Sequence, residues 1–184
     1  MSLAAIQKKA RAKPSIVIIY GPSGLGKTTL AVGSKNPVVL QTEEGLGILT
    51  NNRDIPHFPL SKDYDTFHGY LKSLVDADEL EYNTLVIDSL DWLEPLIHAK
   101  TCESHKQPSI ESFGYGRGYA EALKYWREVL DLVNILRNEK KMRIVMIAHN
   151  QIKAFHDPST EAYDRHELKM HKAASALVLE ASDM

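Results

Sequence analysis

Apolar residues fall along this chain in short continuous runs with helical patterns between them. Four runs, at residues 15–20, 38–41, Thr84–Asp88 and 143–148, are nearly unbroken in Ile, Val, Leu and Met. A strand wet on one face alternates apolar with polar positions; a strand covered on both faces has no reason to alternate. These runs therefore read as strands buried between two layers. Phe67, Leu71, Leu74 and Val75 recur at helical spacing. So do Tyr119, Leu123, Trp126, Leu130 and Val133, on a longer helix predicted to reach about Asn138. Strands alternating with helices are joined by crossovers, which make neighbouring strands parallel. The expected fold class is α/β: a mainly parallel sheet flanked by helices.

The polar chemistry collects where the runs end. The first leads into Gly21-Pro22-Ser23-Gly24-Leu25-Gly26-Lys27-Thr28-Thr29, the second into Thr42-Glu43-Glu44-Gly45. The third ends in Asp88-Ser89 and the fourth leads into His149-Asn150-Gln151. Ligands of open parallel sheets sit beyond the carboxyl ends of the strands, so four polar ends predict one shared site.

Gly21 to Thr28 satisfies G-x-x-x-x-G-K-[ST], after a strand and before a helical stretch at 28–32. That is the context in which the pattern forms a phosphate-binding loop. Glycines let the backbone curl so that N–H groups face the phosphates, and the helix adds its positive end. Lys27 is expected to bridge the β- and γ-phosphates from a surface loop, and Thr28 to ligate Mg2+. Thr84-Leu85-Val86-Ile87-Asp88 places a carboxylate at the end of a β-favouring run, the Walker B arrangement, with Asp88 directed at the same Mg2+. The bland alternative makes Asp88 a cap for a helix over 90–93. Hydrolysis also needs a group that positions water. Glu43 and Glu44 both follow the second strand, and only one of them needs to point inward.

Composition narrows this picture. With 184 residues, 43% hydrophobic and 25% charged, the chain fits one soluble globular domain. Residues 1–14 carry Lys8, Lys9, Arg11 and Lys13 without the apolar segment of a secretory signal. They read as a basic tail before a nucleotide-binding domain over 15–184. The net charge of -2 leaves local basic patches, not bulk charge, as the route to nucleic acid. A lone cysteine, Cys102, forms no intramolecular disulfide and suits a reducing cytoplasm. No apolar run approaches the ~20 residues of a membrane span. The eight histidines and Cys102 form no known zinc ligand set.

The segments GPSGLGKTT (Gly21 to Thr29), VVLQTEEGLG (Val38 to Gly47), LVIDSLDWLEP (Leu85 to Pro95) and IAHNQIK (Ile147 to Lys153) resemble RecA-like ATPases. They are most similar to small phage-encoded members linked to recombination and single-strand annealing. The resemblance implies ATP and Mg2+ as cofactors, a host-cytoplasmic setting, homo-oligomerisation and single-stranded DNA as a partner. It implies that Glu43 is the catalytic glutamate, and that His149 or Gln151 senses the γ-phosphate, with Gln151 the closer match. It further implies that the loop expected over 151–162 contacts DNA, offering Lys153, Phe155 and His156. A cation from a neighbouring subunit would complete the site, with Arg165 and Lys169 on a strand-like stretch at 163–171, and Lys172 just beyond it, as candidates. A further strand is expected beyond the apolar positions 176–179.

Two other function classes stay open. A small-molecule kinase shares the phosphate loop but needs an arginine-bearing lid, for which residues 107–118 offer only Arg117. A nucleotide-dependent switch would hold its ligand without rapid turnover. No N-K-x-D follows a strand and no D-x-x-G follows Asp88, which disfavours a GTPase. The length is too short for an AAA+ machine with a helical lid domain.

Overall fold

The computed structural model describes residues 13–47, 54–155 and 163–184. Most of the basic tail (1–12) and the segment 156–162, which includes His156, lie outside the described residues. The elements in chain order are β1 (Ile16–Gly21), α1 (Lys27–Val32), β2 (Pro37–Gln41), α2 (Tyr64–Asp76), β3 (Thr84–Asp88) and α3 (Leu90–Ser104). A 3-10 turn (Ile110–Phe113), α4 (Arg117–Asn138), β4 (Arg143–Phe155), β5 (Tyr163–Leu168) and α5 (Lys172–Ala181) follow.

Four strands lie parallel in the order β1-β4-β3-β2. Alternate residues of each strand face opposite layers; both are dry along β3, while the second face of β1 is half-buried at Val17 and Ile19. Ile16, Ile18, Val38, Leu40, Leu85, Ile87, Ile144 and Met146 share one cluster with Phe67 and Leu71 of α2, Leu93 and Ile97 of α3, Trp126 and Val133 of α4, and Val178 of α5. Val39, Val86, Val145 and Ile147 face the other way, onto Ala31 and Val32 of α1 with Leu46 and Ile55. Two-sided burial is why the strand sequences do not alternate. Each large side chain so buried contributes about 1.5–3 kcal/mol. The fold class expected from the sequence, a mainly parallel α/β sheet with helices on both faces, is the one observed.

The register carries the strand ends to one rim. Gly21 lies opposite His149, and Gln41 opposite Asp88. Because β4 runs between β1 and β3, its end separates the glycine loop from the acid-bearing strand.

Three local expectations change. Residues 151–155 are not loop: β4 continues through Phe155 and pairs antiparallel with β5, from Asn150 opposite Leu168 to Phe155 opposite Tyr163. The backbone finds its hydrogen-bond partners in this two-stranded ribbon, whose outer part is exposed on both faces at Ile152, Lys153, Asp164 and Arg165. The strand-like stretch at 163–171 stops at Leu168, and Lys172 opens α5. The apolar positions 176–179 belong to α5; beyond them, Asp183 N–H donates to Ile16 O and Ile18 N–H to Met184 O, both at 2.9 Å, along the edge of β1.

Candidate functional site

Ser23, Gly24, Gly26, Lys27, Thr28, Thr29, Glu43, Glu44, Gly45, Asp88, Ile147 and His149 line one cleft of about 360 Å3 at the carboxyl rim of the sheet. Its floor is the glycine loop between β1 and α1. Gly24 and Gly26 hold φ of +78° and +86°, where a side chain would be strained, so the tight curl needs glycine there. Lys27 is not a surface-loop residue. It is the first residue of α1 and only 7% exposed. Its ammonium donates to the carbonyls of Gly21 and Pro22, each at 2.9 Å, which folds the cation into the loop.

Thr28 donates its hydroxyl to Asp88 Oδ2 at 2.6 Å. This contact joins the start of α1 to the end of β3. Asp88 is 3% exposed, and burial pushes its carboxyl above the usual aspartate range, with the Thr28 hydroxyl and the Lys27 ammonium pulling it back. Burial also pushes Glu43 up and the Asp88 charge adds to it, while His149 and the Ser89 hydroxyl oppose the shift. Two crowded, poorly hydrated carboxyls resist ionising together, and a cation between them would relieve this. A hydroxyl and a carboxylate are hard oxygen donors, the set that suits Mg2+ held partly by phosphates rather than by an all-protein cage. Among the described residues no cluster of three or more His, Cys, Asp or Glu forms such a cage.

Thr42 holds the end of β3 in place. Its backbone N–H donates to Asp88 O at 2.7 Å, its hydroxyl donates to Ser89 O at 2.7 Å, and Ser89 N–H donates back to that hydroxyl at 2.9 Å. His149 is held by Asp91 of α3: the His149 backbone N–H donates to Oδ1 at 2.9 Å, and ring Nδ1 lies 3.0 Å from Oδ2. One turn on, Glu94 accepts the His171 backbone N–H on both oxygens at 3.0 Å. Burial raises the Glu94 carboxyl, the His171 N–H lowers it, and Asp91 adds to the rise.

The structure thus gathers Lys27, Thr28, Glu43, Glu44, Asp88 and His149 around one cleft. Gln151 is not among the lining residues. It sits at the base of the ribbon opposite Glu167, and its Nε2 donates to Leu168 O at 3.1 Å. Of the loop, Gly21, Pro22 and Leu25 stand outside the lining, and no lining residue comes from 107–118. Lys153 lies 3.3 Å from Glu167. Arg165, Lys169 and Lys172 are all exposed. Thr42, Asp91 and Glu94 were not singled out from the sequence. The only signal for the two acids is their i, i+3 spacing in the opening of a helix.

A family model described as AAA domain (AAA_24) matches residues 13–184. The chain belongs to this family. Among the described residues, helices α2 to α5 of this AAA domain all pack into one core cluster. The SPbeta prophage-derived uncharacterized protein YorG of Bacillus subtilis (strain 168) is 22% identical over 173 residues, covering 92% of this chain and 49% of that protein. The AAA domain chain thus spans about half the length of that curated relative. The crystal structure of the RadB recombinase is also similar, with a TM-score of 0.49 and 17% identity over 82% of this chain and 66% of that one. No described helix of the AAA domain is long and apolar enough to cross a membrane.

Proposed function

We propose that this AAA domain binds ATP with Mg2+ and hydrolyses it, in the service of phage DNA recombination or single-strand annealing. The observation that carries the hydrolytic reading is the 2.6 Å contact between Thr28 and Asp88 inside a cleft that also receives Glu43 and His149. These are the parts that phosphoryl transfer to water calls for: a phosphate cradle, a pair of metal-facing oxygens and a group that positions the nucleophile.

In this reading Lys27 leaves the carbonyls of Gly21 and Pro22 for the β- and γ-phosphates. Thr28 and Asp88 would hold Mg2+, which neutralises charge on the phosphate oxygens when bound. Glu43 accepts a hydrogen bond from the attacking water and orients it, and His149 stands on the opposite side of Asp88 from the acid loop. Glu44 lines the same cleft and is the second choice for the water. Gln151, tied to the ribbon, would reach the phosphate end only by giving up its bond to Leu168 O. The prophage origin of the relative supports the phage setting. The DNA role draws on the ribbon, where Lys153 and Arg165 lie opposite each other at its exposed part. An exposed cation among Arg165, Lys169 and Lys172 would complete the site of a neighbouring copy.

Turnover with and without a single-stranded oligonucleotide, alongside anisotropy of the labelled oligonucleotide with and without an ATP analogue, tests the reading. Stimulated turnover and analogue-dependent DNA affinity are expected. Because coupling is reciprocal, DNA should tighten nucleotide binding by the same factor. ATP hydrolysis untouched by DNA, with equal DNA affinity in both states, refutes the DNA role. Nucleotide binding without turnover favours the switch.

A further inference from the structure

We propose that Asp91 is the positioning residue for His149, fixing its ring so that Nε2 serves the cleft as a proton acceptor beside Glu43 and Asp88. The inference rests on the hydrolytic reading above and adds a residue to it. Helix α3 begins at Leu90, directly after Asp88-Ser89, so its first turn lies under the end of β4. Asp91 is the second residue of that helix, where the N-terminal dipole favours a negative side chain. Its side chain is 4% exposed, and both oxygens go to one residue: Oδ1 to the His149 backbone N–H at 2.9 Å, Oδ2 to ring Nδ1 at 3.0 Å. Such a double hold sets where the imidazole starts and which way it turns.

The hold also sets the tautomer. An ionised carboxylate accepts hydrogen bonds and donates none. Nδ1 must therefore carry a proton, and in the neutral ring Nε2 is bare. His149 lines the cleft with Lys27, Thr28, Glu43 and Asp88, and Nε2 is the ring nitrogen left for it. A bare Nε2 takes a hydrogen bond from water. A donor to a phosphate oxygen would need the other tautomer or a charged ring. This is the logic by which a carboxylate behind a histidine selects which nitrogen does chemistry.

The backbone around His149 is fixed as well. Lys169 N–H donates to His149 O at 2.9 Å, and Glu94, on the same face of α3, holds His171 N–H. The ring is thus the last torsion to fix, and Asp91 fixes it.

Asp91→Asn keeps the shape and breaks the logic. If the amide nitrogen faces Nδ1, it donates there and moves the ring proton to Nε2. The flipped amide would set its NH2 against the His149 backbone N–H, two donors facing each other, so the first orientation is the one expected. The experiment uses the full chain. Nitrogen NMR of 15N-histidine protein at about pH 8.5, where an ordinary imidazole is neutral, assigns the His149 signals by their loss in His149→Gln. The Nδ1–H tautomer is expected in the wild type and its loss in Asp91→Asn. An Nε2–H tautomer, or a ring still doubly protonated at that pH, overturns the proposal.

In steady-state kinetics, Asp91→Asn should lower kcat by roughly 10–100-fold, with KM for ATP changed by less than about threefold. His149→Gln should match it, and the double variant should fall no further, because the two residues act as a unit. An unchanged kcat, or losses that multiply in the double variant, overturns the proposal. Absence of turnover in the wild type removes the hydrolytic reading, while the spectrum still decides the tautomer.

Discussion

Replacing Thr42 by Val removes one hydroxyl and keeps the shape of the side chain. That hydroxyl accepts the Ser89 N–H at 2.9 Å and donates to Ser89 O at 2.7 Å, and Ser89 is fully buried. The Ser89 carbonyl keeps a second partner, the Leu93 N–H at 3.0 Å. The loss therefore concentrates on the Ser89 N–H, left buried without an acceptor at a cost of about 1–3 kcal/mol. Adding about 1 kcal/mol for the second bond gives roughly 2–4 kcal/mol in all, a large share of the 5–15 kcal/mol typical of a domain, in round numbers. With a urea slope of about 2 kcal/mol/M, the unfolding midpoint should fall by about 1–2 M. Thr42→Ser keeps the hydroxyl and loses a methyl, so it should lose only about 1 kcal/mol. Nucleotide affinity in the presence of Mg2+ should fall in the Val variant and hold in the Ser variant, because the same bonds fix the peptide after Asp88. A Val variant within about 0.5 kcal/mol of wild type, or a Ser variant equally destabilised, would refute the reasoning.

Lys27→Ala should abolish ATP binding, measured by calorimetry, because the buried ammonium that lines the cleft is gone; unchanged affinity in a folded variant contradicts the phosphate-loop assignment. Glu44→Gln should lower turnover far less than Glu43→Gln; a reversed order would put the water-positioning carboxylate one residue later. Asp88 is raised above its ordinary value of 3.8 in the fold, so the nucleotide-free protein binds its proton more tightly than the unfolded chain does. Its contribution to stability is full below that ordinary value and is lost as pH rises through the raised one. Asp88→Asn should therefore gain stability relative to wild type as pH climbs through this window; a difference constant with pH in paired denaturation curves rules this out.

The buried sheet was legible because burial on two faces leaves a plain mark. The run Thr84–Asp88 is the strand β3 to the residue, and the phosphate loop announces itself by glycine spacing. Only half of the ribbon was legible: the strand-like stretch at 163–171 contains β5, whereas 151–155 carries no strand signal and pairs with it all the same. Between Gln151 and Lys153 stands a single Ile152, itself exposed, because the outer ribbon has no dry face to enforce a period. The stripe on α4 was read a little off its true face: Tyr119 and Leu123 are half-buried flanks, and Ala122, Tyr125, Trp126 and Val129 are inside. Asp91 and Glu94 look like ordinary acids at a helix start. Only the return of β4 and β5 over α3, some sixty to eighty residues later, gives them His149 and His171 as partners. Thr42 was hidden beside two glutamates that draw the eye, and its role depends on the strand pairing of β2 with β3. Local patterns show in sequence, whereas partners supplied by distant crossovers do not.

The central claim is hydrolysis in the cleft that Thr28, Asp88 and Glu43 share. Its most direct test is phosphate release from ATP and Mg2+ at saturating nucleotide, compared between wild type and Glu43→Gln with bound nucleotide measured in the same samples. The account predicts equal occupancy and a turnover at least ~10²-fold lower in the variant, the scale of a lost water-positioning group. Equal turnover at equal occupancy, or a wild type that binds ATP and releases no phosphate with or without single-stranded DNA, would contradict it.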